Sequence, residues 1–201
     1  MTVKAIIPVK MNNERLPGKN TRILGDKPLM HYIQTALLKT DSIDTICVFC
    51  SNEEIKKYLL DGVEFLKRPE YLDLPSSNFT QIFECFMKDN DADIYVYAHA
   101  TAPFISTETI NDCINAVLSG KYDSAFCARK IQDFLWKDGR PLNFDAQNVP
   151  RSQDIEPVYR ETSGVYVYTK DVFQNLRRRV GNIPYIKELT IREAIDINEY
   201  E

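Results

Sequence analysis

Short apolar runs alternate along this chain with stretches in which apolar residues recur three or four positions apart. The runs are rich in β-branched and aromatic residues and predict β-strands, whereas the second pattern predicts amphipathic helices. The predicted strands span residues 3–9, 43–50, 63–66, 94–98, 124–128 and 162–168. The predicted helices span residues 29–38, 51–60, 77–88, 107–118 and 170–176, and Ser51 with Glu54 forms a capping box for the second of them. This alternation predicts an α/β fold of βαβ units around a mostly parallel central sheet.

The alternation breaks over residues 129–160, a stretch that contains three prolines and the single tryptophan, Trp136. A connection of this length without regular structure of its own is uncommon in a compact domain and is usually functional. We therefore predict one domain over residues 1–201 that carries a functional excursion at 129–160.

The first predicted strand ends in a polar loop that carries three cations, Lys10, Arg15 and Lys19. Pro17 and Gly18 predict a bend immediately before Lys19. Open α/β sheets bind ligands at the carboxyl ends of their strands, where backbone N–H groups and cationic side chains converge on an anion. The position of this loop therefore favours a phosphate site over an ordinary solvated loop.

Composition narrows the class of protein. The chain has 201 residues, of which 44% are hydrophobic, and its formal net charge is −4. A weakly negative chain has no basic field to attract nucleic acid, and no apolar run approaches the length of a membrane span. Because the sequence enters a predicted strand at once and shows no signal peptide, we expect a cytoplasmic location and neither a membrane nor a nucleic-acid partner.

The five cysteines are odd in number and scattered along the chain. Cys47 and Cys50 have the spacing of a redox or zinc pair, but they lie in a predicted strand, where residues three apart point to opposite faces. Core thiols are therefore the better interpretation.

The loop after the first strand resembles the amino-terminal signature of the CMP-sugar acid synthetases, the acylneuraminate-type cytidylyltransferases that activate sialic acid and its relatives. The matching residues are Pro8, Leu16, Pro17, Gly18, Lys19 and Asn20. Lys10 stands where the sialic acid branch usually has arginine, so the charge is kept while the planar fork for phosphate is lost. Residues 15–19 are closer to the branch that activates 3-deoxy-manno-octulosonate. The resemblance covers essentially the whole chain and implies a three-layer, Rossmann-like and GT-A-like nucleotidyltransferase fold.

The resemblance also implies a nucleotide site. Arg68 and Pro69 match an Arg-Pro segment that follows the third strand in the family, and Ser76 and Ser77 match small hydroxyl residues that follow it. The implied nucleotide-binding residues are Pro8, Val9, Lys10, Lys19, Asn20, Arg68, Ser76 and Ser77.

Further matches imply a pocket for the acceptor sugar. His99 stands where the family has a glutamine that touches the sugar, and a structural role for this lone histidine stays open beside the binding role. Thr162 and Ser163 replace an Asn-Gly pair, which implies a changed pocket. Arg151 and Arg160 imply a grip on an acceptor carboxylate or on the triphosphate. The implied acceptor-binding residues are His99, Thr101, Arg151, Gln153, Arg160 and Tyr166, and the excursion at 129–160 is implied to add acceptor and dimer contacts.

Residues 193–199 match the metal motif of the family. Asp196 stands at its first aspartate and Asn198 at its second, and alternation along a predicted strand at 194–198 places both side chains on one face. The resemblance implies that these two residues hold Mg²⁺ against the α-phosphate. The family continues from this motif into one more helix, so we expect a shortened carboxyl end at Glu201. Upstream, Arg177, Arg178 and Arg179 are interpreted as a solvated helix end rather than a phosphate site.

The implied reaction transfers CMP from CTP to the anomeric hydroxyl of an acidic, sialic acid-like sugar, in a homodimer. Lys10, Arg15, Lys19 and Asp196 are the implied catalytic residues, which act by positioning and charge neutralisation. A dinucleotide oxidoreductase is disfavoured because the loop lacks Gly-x-Gly-x-x-Gly, and a glycosyltransferase because Asp91 and Asp93 precede their strand. A cytidylyltransferase for 3-deoxy-manno-octulosonate and a catalytically weak nucleotide-binding module stay open as alternatives.

Overall fold

A seven-stranded sheet with helices on both faces forms the centre of the computed structural model, which describes residues 1–13 and 15–198. The strands of the described residues are β1 (Val3–Pro8), β2 (Ile23–Leu24), β3 (Lys27–Pro28), β4 (Thr45–Cys50), β5 (Val63–Lys67), β6 (Ile94–Ala98), β7 (Ser124–Ile131), β8 (Trp136–Lys137), β9 (Arg140–Pro141), β10 (Val158–Thr169) and β11 (Pro184–Glu188). The α-helices are α1 (Leu29–Leu38), α2 (Phe79–Met87), α3 (Thr107–Leu118) and α4 (Lys170–Leu176). Short 3₁₀ helices lie at Lys19–Thr21, Glu53–Tyr58, Glu70–Asp73 and Ser152–Asp154.

The strand order of the large sheet is β11-β7-β10-β6-β1-β4-β5. β10 runs antiparallel to both of its neighbours, and the other six strands share one direction. The chain proceeds from β1 outward through β4 to β5 and then returns to β6 on the other side of β1. Ligands of open α/β sheets bind at such a reversal, outside the carboxyl ends of the strands.

Each face of the sheet has its own hydrophobic core. One core packs the sheet against α1 and α3, with Ile33 and Ile110 fully buried. The other is largely aromatic and packs the sheet against α2 and α4 around Phe83. Cys50 belongs to the first core and Cys47 to the second, so the prediction that they point to opposite faces is confirmed. Every cysteine is a free thiol.

The predicted elements at 29–38, 94–98 and 107–118 are confirmed with the same bounds. The helix predicted over 51–60 is wrong: this stretch forms the 3₁₀ helix Glu53–Tyr58, and Asn52 rather than Ser51 caps it by accepting from the Glu54 N–H at 2.9 Å. The side chain of Ser51 instead donates to Asp73.

Other differences lie towards the carboxyl end of the chain. β11 was not predicted, and β7 and β10 extend past their predicted bounds into the excursion, where β8 and β9 form a small hairpin. The strand predicted at 194–198 is wrong, because residues 195–198 have no regular structure. None of the helices in the described parts of the chain is both long and apolar enough to cross a membrane.

Candidate active site

The loop after β1 is fixed at both ends by backbone and side-chain contacts. Val9 donates its N–H to the carbonyl of Phe49 at 3.0 Å, and the buried amide of Asn20 donates to the carbonyl of Lys10 at 3.1 Å. Leu16 is buried and anchors the middle of the loop. Gly18 precedes the turn at Lys19 with φ of 67°, a conformation that glycine adopts without strain. The loop thus holds Lys10 and Lys19 at the carboxyl end of β1. Glu14, within this loop, lies outside the described residues.

The three loop cations converge on one cavity. This loop cavity has a volume of about 250 Å³ and is lined by Lys10, Asn13, Arg15, Leu16, Lys19 and Asn198. Asn198 Oδ1 accepts hydrogen bonds from Lys19 Nζ at 3.3 Å and from Arg15 Nη2 at 3.5 Å. Burial lowers the pKa of Lys19 below its ordinary value, which Asp196 opposes and the neighbouring Arg15 and Lys10 reinforce. The structure therefore brings residues from opposite ends of the sequence to one concentration of positive charge.

Asp196 lies beside this cluster. Its Oδ2 accepts a hydrogen bond from Asn198 Nδ2 at 2.8 Å, so the two residues are in contact although they do not lie in a strand. Its Oδ1 is buried and has no hydrogen-bond partner among the described residues. A buried carboxylate oxygen without a partner is costly unless a ligand or cation completes it. Residues 1–13 and 15–198 contain no group of three or more His, Cys, Asp or Glu side chains that could hold a metal ion.

The segment that carries Asp196 is tied down on both sides of it. Glu193 Oε1 accepts from Ser106 Oγ at 2.9 Å and from Thr109 Oγ1 at 2.7 Å, at the amino terminus of α3. Ile197 donates its N–H to the carbonyl of Thr101 at 2.8 Å. Although burial acts to raise it, hydrogen bonds from Thr109, Ser106 and Thr190 hold the pKa of Glu193 below its ordinary value. Thr101, predicted to bind the acceptor, thus contacts the Asp196 segment through its backbone. Glu199, the last residue of the matched motif, lies outside the described residues.

A second cavity opens between β10 and this segment. This β10 cavity has a volume of about 350 Å³ and is lined by Arg160, Glu161, Thr162, Ser163, Ala194, Asp196 and Asn198. Asn198 lines both the loop cavity and the β10 cavity, so the two adjoin. Arg160, a predicted acceptor residue, is therefore brought to the same cavity as Asp196.

His99 follows β6 at the switch point of the sheet. Its backbone N–H donates to the carbonyl of Gly164 at 3.1 Å. The centroid of its ring lies 5.3 Å from that of Tyr97 and 6.1 Å from that of Tyr166. The ring nitrogen Nε2 is buried without a partner among the described residues. Burial lowers the pKa of His99 to about 4, and Arg179 contributes to the lowering. His99 is therefore a neutral imidazole near pH 7.

Tyr166, a predicted acceptor residue, is fully buried and contacts Glu161 and Arg179. Its Oη donates to Glu161 Oε1 at 2.5 Å, and the guanidinium of Arg179 lies 3.9 Å from its ring centroid. Arg179 also pairs with Glu161 at 2.9 Å. The interpretation of residues 177–179 as a solvated helix end is therefore wrong for Arg179, which packs on Tyr166 because the turn after α4 directs it back over β10. No local sequence signal separates Arg179 from its two neighbours.

Arg68 lies beneath a third cavity. It is buried and paired with Asp73, which also accepts from Ser51. This β4 cavity, of about 470 Å³, is lined by Met11, Asn12, Ser51, Asn52, Glu53, Lys67, Glu70 and Asp73. The predicted nucleotide residue Arg68 therefore reaches this region through Asp73, an acidic partner that no sequence motif indicates.

The remaining predicted residues lie apart from these cavities. Ser77 donates to the carbonyl of Tyr71 at 3.0 Å, and Ser76 is exposed. Arg151 is exposed and pairs with Asp154 at 2.7 Å, and Gln153 is exposed in the same turn of the excursion. Pro8 is the last residue of β1, and Val9 is the first residue of the loop that follows it. The roles assigned to these residues stay predictions.

Comparisons with known proteins bear on this arrangement. A family model described as Cytidylyltransferase matches residues 4–196. The chain is 24% identical to the N-acylneuraminate cytidylyltransferase A of Danio rerio, over 98% of this chain and 48% of that protein. It is also 24% identical to the CMP-N,N'-diacetyllegionaminic acid synthase of Legionella pneumophila, over 98% of this chain and 91% of that protein. The chain thus spans about half the length of the fish relative and most of the bacterial one.

A solved structure gives the fold comparison. The CMP:2-keto-3-deoxy-manno-octonic acid synthetase complexed with CTP aligns with a TM-score of 0.73 at 15% identity, over 99% of this chain and 94% of that one. The α/β nucleotidyltransferase fold predicted from the sequence is confirmed.

Proposed function

The chain belongs to the cytidylyltransferase family, and we propose that it transfers CMP from CTP to the anomeric hydroxyl of an acidic, sialic acid-like sugar. The hydroxyl oxygen forms a bond to the α-phosphorus of CTP, the bond from that phosphorus to the bridging oxygen of pyrophosphate breaks, and the hydroxyl proton is released. Relatives named for N-acylneuraminate and for diacetyllegionaminic acid support an acidic sugar as the acceptor.

The observation that carries this proposal is the convergence of Lys10, Arg15 and Lys19 with Asp196 at the carboxyl end of β1. A triphosphate is a polyanion, and preorganised cations around its reacting phosphorus stabilise the charge that develops during transfer. Lys19 is partly buried and its pKa is lowered, so it interacts with phosphate at a lower effective dielectric than a surface lysine does.

Asp196 is the residue that we propose to hold Mg²⁺. The partnerless, buried Oδ1 fits a site in which one carboxylate and phosphate oxygens share the ion. When bound, Mg²⁺ neutralises phosphate charge. Asn198 is proposed as a weaker Mg²⁺ ligand, because its Oδ1 already accepts hydrogen bonds from Lys19 and Arg15.

The acceptor side is proposed to comprise the β10 cavity and His99. Arg160 supplies a cation for a carboxylate, and the neutral imidazole of His99 is suited to a hydrogen bond with a neutral group of the sugar. Thr101 contacts this region through the hydrogen bond that its carbonyl accepts from the Ile197 N–H. Tyr166 contacts it through the hydrogen bond that its Oη donates to Glu161. Arg151 and Gln153 are proposed to act from the excursion.

Thermal-shift titration with the four ribonucleoside triphosphates tests the nucleotide. We expect the largest stabilisation by CTP. Equal shifts for all four, or a larger shift with a purine nucleotide, would contradict the cytidylyltransferase assignment for this chain.

Pyrophosphate release from CTP tests the transfer. The acceptor panel is N-acetylneuraminic acid, a legionaminic acid, a pseudaminic acid and 3-deoxy-manno-octulosonate, with a neutral sugar as the negative control. We expect a nonulosonic acid to be the best acceptor. A preference for 3-deoxy-manno-octulosonate supports the alternative acceptor, towards which the octonic acid synthetase fold match also points.

Lys19→Ala tests the role of the loop cations. Loss of one preorganised cation should cost roughly 2–4 kcal/mol in the transition state, which lowers kcat by about 30- to 1,000-fold while the folded structure is kept. Lys57→Ala is the matched control, because Lys57 is exposed on the 3₁₀ helix after β4 and pairs with Glu54. Near-normal activity of Lys19→Ala would end the phosphate-loop assignment.

A catalytically weak nucleotide-binding module is the second candidate, and the observation that favours it is the neutral Asn198. CTP stabilisation without pyrophosphate release from any acid of the panel would select it. We further propose a cytoplasmic location, where CTP is available, and a homodimer formed through the excursion.

A further inference from the structure

Two residues of β10, Glu161 and Tyr166, form a closed cluster with Arg179, which lies in the turn after α4. Glu161 Oε1 accepts from Arg179 Nη2 at 2.9 Å and from Tyr166 Oη at 2.5 Å, and the Arg179 guanidinium stacks on the Tyr166 ring at 3.9 Å. Each member contacts both of the others. The position of the Glu161 carboxylate is therefore fixed by a buried tyrosine and a stacked arginine.

The cluster faces the proposed acceptor side. Glu161 lines the β10 cavity together with Asp196 and Asn198. On the other side, Tyr166 lies beside His99, and Arg179 is near enough to lower the pKa of that histidine. The carboxylate of Glu161 thus lies in the region where an acceptor would extend away from the reacting phosphate.

The exposure and bonding of Glu161 suit ligand binding. Both hydrogen bonds are made by Oε1, and the side chain is 45% exposed, so Oε2 is the oxygen left to accept from a ligand. A carboxylate beside an acidic sugar is repulsive unless it is neutralised, and Arg179 supplies that neutralisation. An ion pair as exposed as this one contributes little to stability, so folding alone gives a weak reason for the arrangement.

We propose that Glu161 accepts a hydrogen bond from a hydroxyl or amide N–H group of the acceptor sugar and so determines acceptor specificity, with Arg179 as its positioning residue. This inference rests on the proposed transfer of CMP to an acidic sugar. The inference requires that the sugar carry a hydrogen-bond donor, distinct from its carboxylate, on the part of the molecule that lies over β10.

The test compares Glu161→Ala, Glu161→Gln and Arg179→Met in steady-state kinetics with CTP and the best acid of the panel. For Glu161→Ala we expect an acceptor KM raised about tenfold or more, the loss typical of a hydrogen bond to a charged group, with the CTP KM within about twofold of the unchanged protein. Glu161→Gln keeps an acceptor oxygen and should raise the acceptor KM less. Arg179→Met should raise it as well, and the double variant Glu161→Ala with Arg179→Met should match Glu161→Ala alone, because Arg179 acts through Glu161.

An ion pair whose arginine lies on the same turn as Arg179 serves as the control. Arg177 and Glu84 form an ion pair at 2.6 Å with similar exposure, away from both cavities, and Glu84→Ala and Arg177→Met should leave both KM values unchanged. The inference would be overturned if Glu161→Ala still turned over CTP but had an acceptor KM within twofold of that of the unchanged protein. It would also be overturned if the KM values for the acceptor and for CTP rose equally.

Ligand-observed NMR with the same acids reports on the site without turnover. If the unchanged protein neither releases pyrophosphate nor binds any acid, the proposed function fails and the inference fails with it. If it binds an acid without turnover, weaker binding to Glu161→Ala supports the inference and equal binding overturns it.

Discussion

Asn198 is the residue at which the proposed Mg²⁺ site departs from a pair of carboxylates. Its amide is bifunctional, so Oδ1 accepts from Lys19 while Nδ2 donates to Asp196. An aspartate at this position has no hydrogen to donate, and two carboxylates in contact repel each other unless a cation lies between them. The amide of Asn198 therefore links Lys19 to Asp196 without placing two carboxylates in contact.

Asp196→Asn and Asn198→Asp test this account. Asp196→Asn should abolish activity even at high magnesium. Asn198→Asp should keep activity and lower the Mg²⁺ concentration that gives half-maximal activity. The reason is that magnesium prefers carboxylate oxygens and shares them with phosphates. Asn198→Asp should also lower the melting temperature without metal and raise the stabilisation that Mg²⁺ provides. A fully active Asp196→Asn variant would end the metal assignment.

His99 predicts a pH dependence of stability. The unfolded chain protonates this histidine near pH 6.5, whereas the folded protein does so only at about pH 4. The folded pKa is depressed, so the stabilising contribution is complete above pH 6.5 and is lost as the pH falls towards 4, by at most about 1.4 kcal/mol per pH unit. His99→Gln does not titrate. Denaturant unfolding at several pH values should therefore show the unchanged protein losing stability relative to His99→Gln below pH 6.5, and parallel curves would contradict the buried, neutral imidazole.

The residues of the site were predictable from sequence to different degrees. The convergence of Lys10, Arg15 and Lys19 follows from a loop at the end of a first strand, which local pattern reveals. Arg179 was missed because its role depends on the pairing of β10 with β7 and on the path of the turn after α4, which are contacts between distant parts of the chain.

At the scale of elements, the correct predictions are those in which local signals agree. α3 has apolar residues at helical spacing and Ser106 as its N-cap, with Gly120 just past its end, so local pattern and packing coincide. β11 was missed because it is an edge strand with polar residues at Lys187 and Glu188, which lacks the apolar run of a central parallel strand. The segment at 194–198 alternates like a strand but has no neighbouring strand to pair with in the described structure.

The contact between Glu193 and α3 predicts how the Asp196 segment is positioned. Glu193→Ala removes an anion from the helix amino terminus and leaves the hydroxyls of Ser106 and Thr109 without this acceptor. We expect a loss of about 1–3 kcal/mol in unfolding free energy. We also expect faster hydrogen exchange in residues 190–198 and a reduced kcat, because Asp196 loses its support. Exchange measured by mass spectrometry and steady-state kinetics check this.

Glu108→Ala is the matched control for that experiment, since Glu108 is an exposed acidic residue in the same helical turn. The pKa of Glu193 is lowered, so its contribution should be complete above the ordinary glutamate pKa and lost as the pH falls through the lower value of the folded state. Equal behaviour of Glu193→Ala and Glu108→Ala would show that the tether does not position the site.

At the scale of the whole molecule, topology gathers what the sequence separates. Because six strands share one direction and β10 is reversed, the loops after β1, β4, β5 and β6, the first half of β10 and the segment after β11 all lie along one edge of the sheet. Residues near position 10 and near position 198 thus meet, although nothing in local pattern relates them. The excursion leaves the sheet after β7 and returns to it at the start of β10, so both of its ends also lie at this edge.

The excursion also predicts an interface between two copies of the chain. Trp136 is 60% exposed and makes an edge-to-face contact with Phe144, which makes another with Phe134. Leu142 and Val149 are exposed nearby in sequence. Exposed aromatic and aliphatic side chains in one segment are typical of an interface, and a two-fold dimer buries the same segment of both copies. We expect a homodimer by multi-angle light scattering, and Trp136→Ser should shift it towards monomer. Ile23→Ser, at a similarly exposed apolar residue on β2, should leave the dimer intact. A monomer before any substitution would contradict the dimer. A dimer that persists in the double variant Trp136→Ser with Leu142→Ser would place the interface elsewhere.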